Sequence, residues 1–203
     1  MAKNESIFGW HFVGDKLRDG SEVPRNGVWL PKITPISLCA YGYHGSLHPF
    51  DALRYAPGDT LCYCEYRGEI EHESDKFVAE ERRIITRMDA ADMLRYFARM
   101  QALSVAHLWE PPDIMLDWLM TGDESLRAAA WAAAWDAARA AAWAAAWDAA
   151  RAAAWDAVRD AARDAAWDAV RDAAWDAVRD VVRDDFADLV YECFGMENPH
   201  ATK

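Results

Sequence analysis

Between Arg127 and Arg183 the chain repeats in steps of four. Every fourth residue is Trp or Arg: Trp131, Trp135, Trp143, Trp147, Trp155, Trp167 and Trp175 share one column with eight arginines. The next position is Ala or Asp, and the last two are nearly always Ala or Val, so residues 127–185 hold 28 Ala and 11 Asp in 59 positions. No Gly or Pro occurs between Gly122 and Gly195. Ala is the strongest helix former, and Asp160 with Arg163 or Asp176 with Arg179 adds i,i+3 pairing. The pattern predicts a helix over Ser125–Phe194, a rod of about 105 Å if continuous at ~1.5 Å per residue. Its amino-terminal half has fewer charges and is expected to be the more buried half.

The period sets a geometric problem. Four residues turn an α-helix by about 400°, so the Trp/Arg column drifts ~40° per repeat and circles a straight rod in about nine repeats. Seven indoles scattered around a lone helix would be an association liability. The column is accommodated if the helix folds back or is covered by partner chains, if it supercoils right-handedly as periods above 3.6 favour, or if it underwinds. Columns of Ala permit close backbone approach, which favours self-association of this segment into a homo-oligomer. The plainer reading is a tandemly duplicated spacer, tolerated because Ala-Asp-Arg helices are soluble; it does not explain why the column keeps its indoles.

Charge and hydropathy exclude several classes. The net charge is −12, and no concentrated basic stretch of the kind that grips phosphates is visible, which argues against a nucleic-acid partner. The longest charge-free run in the repeat, between Arg127 and Asp136, falls far short of the roughly 20 apolar residues of a membrane span. The start, Met1-Ala2-Lys3-Asn4-Glu5, lacks the apolar core of a signal peptide, so the expected location is the cytoplasm. There Cys39, Cys62, Cys64 and Cys193 read as reduced thiols.

Residues 1–88 read as β-rich. Ile7–Val13, Val28–Ile33, Leu61–Tyr66 and Arg83–Met88 are aromatic and β-branched segments separated by Gly, Pro and Asp. Asp51–Tyr55 forms a helical turn ended by Pro57-Gly58-Asp59. Asp89 caps a helix carrying Met93, Leu94, Phe97, Met100, Leu103 and Leu108; Pro111-Pro112 stops it, and Asp113–Met120 restarts one. With these helices covering the sheet, the fold class is α+β: a small mixed β-sheet domain covered by helices, followed by the long Ala-rich helical segment. The expected domains are an α+β head over 1–124, the repeat helix over 125–194 and a flexible tail over 195–203.

The densest polar constellation runs from Cys39 through Tyr43, His44, Ser46 and His48 to Asp51 and Tyr55, with the strand Leu61–Tyr66 following. Cys39, His44, His48, Cys62 and Cys64 match no common zinc spacing. Cys62 and Cys64, two apart, are expected on one inward strand face as small hydrophobes, and neither metal nor cofactor is expected. Tyr43, His44 and Ser46 are binding candidates, His44 also as a turn histidine bonding backbone beside Gly42 and Gly45. No Ser-His-Asp order, P-loop or GxGxxG element occurs.

Leu38-Cys39, Gly42-Tyr43-His44-Gly45-Ser46, the run Pro49-Phe50-Asp51-Ala52-Leu53-Arg54-Tyr55-Ala56-Pro57-Gly58, Glu69-Ile70 and Asp75-Lys76 together resemble an uncharacterised domain of phage and prophage proteins. In that family the domain precedes varied repetitive carboxy-terminal regions. The likeness spans roughly residues 7–125, implies a phage setting in the host cytoplasm and carries no activity. A looser resemblance, carried by Trp10-His11-Phe12, Gly42–Ser46 and Glu80-Glu81, is to ADP-ribosyltransferase-type folds. It implies His11 and Ser46 as holders of an NAD ribose and Glu81 as the carboxylate that stabilises an oxocarbenium-like transition state. Taken alone, Glu80-Glu81-Arg82-Arg83 also reads as a solvated charge run. The leading expectation is a phage-encoded, non-enzymatic interaction protein whose repeat oligomerises it or presents Trp and Arg to a host protein, with defence evasion as one setting. The rival is an ADP-ribosyltransferase-like head that binds NAD or a related nucleotide and modifies a host target.

Overall fold

A computed structural model of the chain describes residues 6–108, 111–153 and 180–201. It divides into two compact units, one made of residues 1–93 with 183–203 and the other of residues 94–182. The division falls at Met93/Leu94 and Val182/Arg183 rather than at the expected boundary after residue 124. The chain thus leaves unit 1 and returns to it.

Unit 1 is built on four antiparallel strands, β1 (Ile7–Val13), β2 (Tyr43–Gly45), β3 (Thr60–His72) and β4 (Phe77–Asp89), in the order β1-β3-β4-β2. Trp10 and Ser46 exchange both backbone hydrogen bonds, at 2.8 and 3.0 Å, so the residue after β2 reaches the opposite edge strand and the sheet curls on itself. A short helix, α1 (Pro49–Leu53), follows, with its first turn capped by the His48 ring, whose Nδ1 accepts from the Phe50 N–H at 3.3 Å.

Two long strands were only half visible in the sequence because their far ends are charged. What keeps them paired is a bulge: Arg67 lies opposite Glu81 and Ile70 opposite Ala79, so Gly68 and Glu69 on β3 face Glu80 alone on β4. Gly68 takes φ 89°, where a side chain is strained, and a Cβ there would meet the Glu80 side chain. The bulge resets the alternation, bringing Phe77 and Ala79 into the same buried cluster as Cys62, Cys64, Tyr66 and Ile84. Gly68→Ala is expected to cost about 1–3 kcal/mol, read as a lower urea midpoint of the full chain; an unchanged midpoint would show that the bulge tolerates a side chain.

Val28–Ile33, expected as a strand, makes one isolated bridge, Trp29 to Arg83. Instead the N–H groups of Gly27, Leu30 and Ile33 donate to the carbonyls of Ile84, Arg82 and Glu80 at 2.7–2.9 Å. Every third residue therefore donates where a strand would use every second. Pro31, which has no N–H, lies between two of these donors. On this outer face Arg67 and Arg83 flank the Trp29 ring at 3.9 and 4.8 Å while bridging Glu81 and Glu65.

The last part of unit 1 comes from the other end of the chain. Residues 180–193 are helical, and Phe186, Ala187, Val190 and Tyr191 are buried. Trp10 of β1 meets Tyr191 and Phe194 edge-on at 5.2 and 5.0 Å, and its Nε1–H donates to the Tyr191 hydroxyl at 3.3 Å. Phe50 meets Phe186 at 5.6 Å, and Arg183 bridges Asp51 at 2.7 Å. Gly195, at φ 64°, ends the helix, with the Met196 N–H returning to the Tyr191 carbonyl at 2.9 Å. Where a flexible tail was expected, residues 195–201 turn back onto the unit: Asn198 donates to Asp188 at 2.7 Å, and the His200 ring lies 5.3 Å from that of His48.

Unit 2 holds most of α2 (Ala91–Ser104), α3 (Asp113–Thr121) and α4 (Arg127–Ala153). Asp89 caps α2 by accepting the Ala91 N–H at 2.9 Å, as its sequence position predicts. Gly122 ends α3 in the left-handed conformation. Met115 and Leu119 of α3 pack with Ala130 of α4, joined by Leu103, Trp118 and Ala134. The small Ala side chains bring the two helices together. α4 carries the start of the repeat over 27 residues; residues 154–179 of the expected rod lie outside the described residues.

Candidate functional site: a basic cavity in unit 1

The curled sheet leaves a concave interior, a cavity of ≈ 830 Å³ between β1, β2 and the loops around them. Its walls include Trp10, His11 and Phe12 from β1, the whole stretch Cys39–Ser46, and Tyr55 beyond α1. That volume suits a small organic ligand. Charged side chains enter from three directions: Lys16, Arg18 and Asp19 after β1, Lys76 from the β3–β4 turn, and Arg82 from β4. Four cations to one carboxylate is a local excess of positive charge in a chain of net charge −12.

The rim is fixed by a tight turn. The Ser37 and Tyr41 backbones exchange hydrogen bonds at 2.7 and 2.9 Å, and Cys39 at its apex adopts φ 65°. The Cys39 N–H donates to His44 Nε2 at 3.0 Å, so that nitrogen is an acceptor and the ring is neutral. Desolvation lowers the His44 pKa, against a backbone hydrogen bond with Gly42 that raises it. His44 is thus the turn histidine its neighbours Gly42 and Gly45 suggested, while also lining the cavity. Its carbonyl accepts from the Tyr66 hydroxyl at 3.2 Å. The Tyr43 hydroxyl donates to the Pro31 carbonyl at 2.8 Å, which turns the ring's face, not its hydroxyl, toward Arg82.

His11 sits deeper. Burial, then the nearby Arg82 charge, then His44 push its pKa well below the ordinary histidine value. Ser46 is buried too, and its cross-strand partner is Trp10 rather than His11. Both are among the residues that line the cavity. Glu81 is not. It lies opposite Arg67 in the ladder and is held by it in a two-pronged ion pair at 2.9 and 3.0 Å, while its neighbour Arg82 lies opposite Tyr66. Adjacent strand residues point to opposite faces, so Arg82 enters the cavity and Glu81 leaves it. The trio His11, Ser46 and Glu81 is not assembled, because alternation along β4 divides it.

Cys62 and Cys64 are fully buried in the core cluster, on the inward face that their spacing predicts. Of the repeat candidates, Trp131, Trp135 and Trp143 are 59, 70 and 64% exposed. The side chain of Trp147, and Trp155, Trp167 and Trp175, lie outside the described residues. α4 turns Ala130 and Ala134, not these indoles, toward α3; the expectation that the amino-terminal half of the repeat is the more buried compares it with residues that lie outside the described ones.

The residues that sequence reasoning missed are Arg82 and Lys76. Arg82 was hidden in the run Glu80-Glu81-Arg82-Arg83, and strand alternation was the signal that could have separated its inward member from the outward ones. Lys76 stands over the Tyr55 ring at 4.9 Å and is held by Cys39, Glu73 and Tyr55, which raise its pKa.

Unit 1 is, in class, a curled antiparallel sheet with an internal basic cavity and a carboxy-terminal helix packed on its outside. Residues 26–96 match a domain of unknown function, DUF7666, which supplies β2, β3, β4, Lys76 and Arg82 but neither β1 nor the carboxy-terminal helix. No curated protein and no solved structure matches the chain. Among the described residues no helix is long and apolar enough to cross a membrane.

Proposed function

We propose that this protein is a non-enzymatic interaction protein that self-associates through its repeat helix, with a second copy of the chain covering the Trp-bearing side of α4. The observation that carries this reading is the exposure of Trp131, Trp135 and Trp143 at 59–70% on a helix whose packed side is elsewhere. At ~100° per residue, three column steps carry the indoles from Trp131 to Trp143 through only about 120°. Ala130 and Ala134 each lie about 100° behind a Trp, so the α3 contact and the indole strip occupy different sides. Over the described length the drift of the column has not yet scattered the indoles.

The strip is large enough to drive association. Three indoles at this exposure offer about 400 Å² per chain, on the order of 10 kcal/mol per chain before the entropic costs of association are subtracted. Arg127, Arg139 and Asp136 share the helix with the indoles, so copies carry opposite charges with which to pair. The phage setting and a role against a host defence rest on the resemblance of the Gly42–Ser46 and Pro49–Gly58 segments to phage proteins. The position of Glu81, bound to Arg67 away from His11 and Ser46, supports the non-enzymatic reading over the ADP-ribosyltransferase-like one.

The test is the full chain with Trp131, Trp135 and Trp143 all changed to Ala, which preserves helix propensity. Sedimentation velocity is expected to show a smaller particle than the wild type, with unchanged helical circular dichroism. Equal sedimentation of the two proteins would remove the Trp strip as the interface.

A further inference from the structure

Six cations of unit 1 have a carboxylate within 3.2 Å: Lys32 with Glu80, Arg54 with Asp75, Arg67 with Glu81, Lys76 with Glu73, Arg83 with Glu65 and Arg183 with Asp51. Among the described residues Lys16, Arg18, Arg25 and Arg87 have none and are exposed, whereas Arg82 has none and is buried. It is only 3% exposed, yet no carboxylate among the described residues pairs with it. Its Nη1 reaches the His44 carbonyl at a long 3.5 Å, its guanidinium lies 5.4 Å from the Tyr43 ring, and its Nε has no hydrogen-bond partner among the described residues. Arginine stays protonated in proteins, so it cannot shed the charge as a buried lysine would. A buried charge without a counter-charge is strongly destabilising unless something compensates it.

We propose that the unit 1 cavity binds a phosphate-bearing small molecule, with the phosphate on Arg82 and a flat apolar body against the aromatic walls. The assignment goes beyond the self-association reading and does not depend on it. The planar guanidinium offers donors in a fork that fits a tetrahedral oxyanion. Lys76, Lys16 and Arg18 line the same cavity, against one acidic side chain, Asp19. With Lys76 already paired to Glu73, the excess of two positive charges suits a doubly charged phosphate better than a singly charged carboxylate. The rest of the lining includes the aromatic Tyr41, Tyr43 and Tyr55 and the apolar Leu17 and Ile33 around a volume of ≈ 830 Å³, which exceeds what a bare phosphate fills. Ser46 and His11 also line the cavity, and the His11 ring is a polar group that can orient a ligand in an otherwise apolar site.

Arg82→Met replaces an unpaired charge by an apolar chain of similar length, so the ligand-free variant is expected to melt no lower than the wild type, whereas removal of a structural ion-pair partner would lower it. The Tyr66 hydroxyl keeps its own bond to the His44 carbonyl in that variant.

Calorimetric titration of the full chain with AMP, inorganic phosphate, adenosine and acetate, at constant ionic strength, tests the assignment. AMP is expected to bind saturably, inorganic phosphate more weakly, and adenosine and acetate weakest. Arg82→Met is expected to weaken AMP by about ten- to a hundredfold, the loss of charge-assisted hydrogen bonds. Arg82→Lys, which keeps the charge but not the fork, carries the test if the Met variant does not fold, and is expected to weaken AMP by about tenfold. Sedimentation of either variant is expected to match the wild type, which separates this site from the Trp strip. The proposal is overturned if neither AMP nor inorganic phosphate binds at millimolar concentration, if adenosine or acetate binds as tightly as AMP, or if the folded Arg82 variant binds AMP as the wild type does.

Discussion

A chain ending at Val182 is expected to lose the fold of unit 1, although every strand of the sheet is still present. Phe186 and Val190 are fully buried, Tyr191 nearly so, and Trp10 has its indole N–H and two ring contacts on residues 191 and 194. Large-to-small changes at such positions typically cost about 3–5 kcal/mol for Phe and somewhat less for Val. Removing the whole helix therefore removes an amount comparable to the entire stability of a typical domain, about 5–15 kcal/mol. The graded version is Phe186→Ala in the full chain, expected to lower stability by about 3–5 kcal/mol in urea denaturation. Dispersed strand amide resonances in the truncated chain, or an unshifted midpoint for Phe186→Ala, would show that the helix is an accessory. The prediction also governs how the repeat can be studied: substitution within α4 leaves unit 1 whole, whereas truncation before the repeat does not.

Acidification from neutral pH is expected to destabilise unit 1 well before its carboxylates titrate. Burial, and then the Arg183 charge, lower the His48 pKa to about 4; His11 and His44 are lowered too, each first by burial. An unfolded histidine titrates near 6.5. As pH falls below that value the unfolded chain takes up protons that the folded chain refuses, so stability drops from pH ~6.5 downward, and for His48 the loss is complete below pH ~4. Its share is on the order of 2 kcal/mol. The local reason is specific: protonated Nδ1 can no longer accept the Phe50 N–H that caps α1. Glu80 and Glu81, held below the usual carboxylate range first by Lys32 and Arg67, add their loss only at lower pH. His48→Asn keeps a capping acceptor and removes the titration, so its urea midpoint is expected to vary less between pH 7 and 4.5 than that of the wild type. Parallel pH profiles would show that His48 carries none of the dependence.

Much of unit 1 was legible because its signals are local. Ile7–Val13 is a strand as its β-branched and aromatic residues indicate, Asp89 caps α2, and Gly195 ends the carboxy-terminal helix in the left-handed conformation that Gly tolerates. The outer halves of β3 and β4 were not legible, since Arg67–His72 and Phe77–Arg82 are paired through a bulge and an ion-pair ladder rather than by a simple apolar alternation. The carboxy-terminal helix was masked differently. Phe186, Val190, Tyr191 and Phe194 recur at helical spacing, but they follow the repeat without a break, and the repeat's own composition drew the boundary past them. The candidate site divided along the same line. Tyr43, His44 and Ser46 were visible as a cluster in sequence, whereas Arg82 comes from a strand more than thirty residues away, and only the register of β4 shows that it turns inward while Glu81 turns out.

The claim on which the account chiefly rests is that the repeat helix brings copies of this chain together. Sedimentation equilibrium of the intact protein over a hundredfold range of concentration measures this without any variant. The account predicts a mass that rises with concentration to a whole-number multiple of 22.9 kDa. A mass that stays at 22.9 kDa throughout would contradict it.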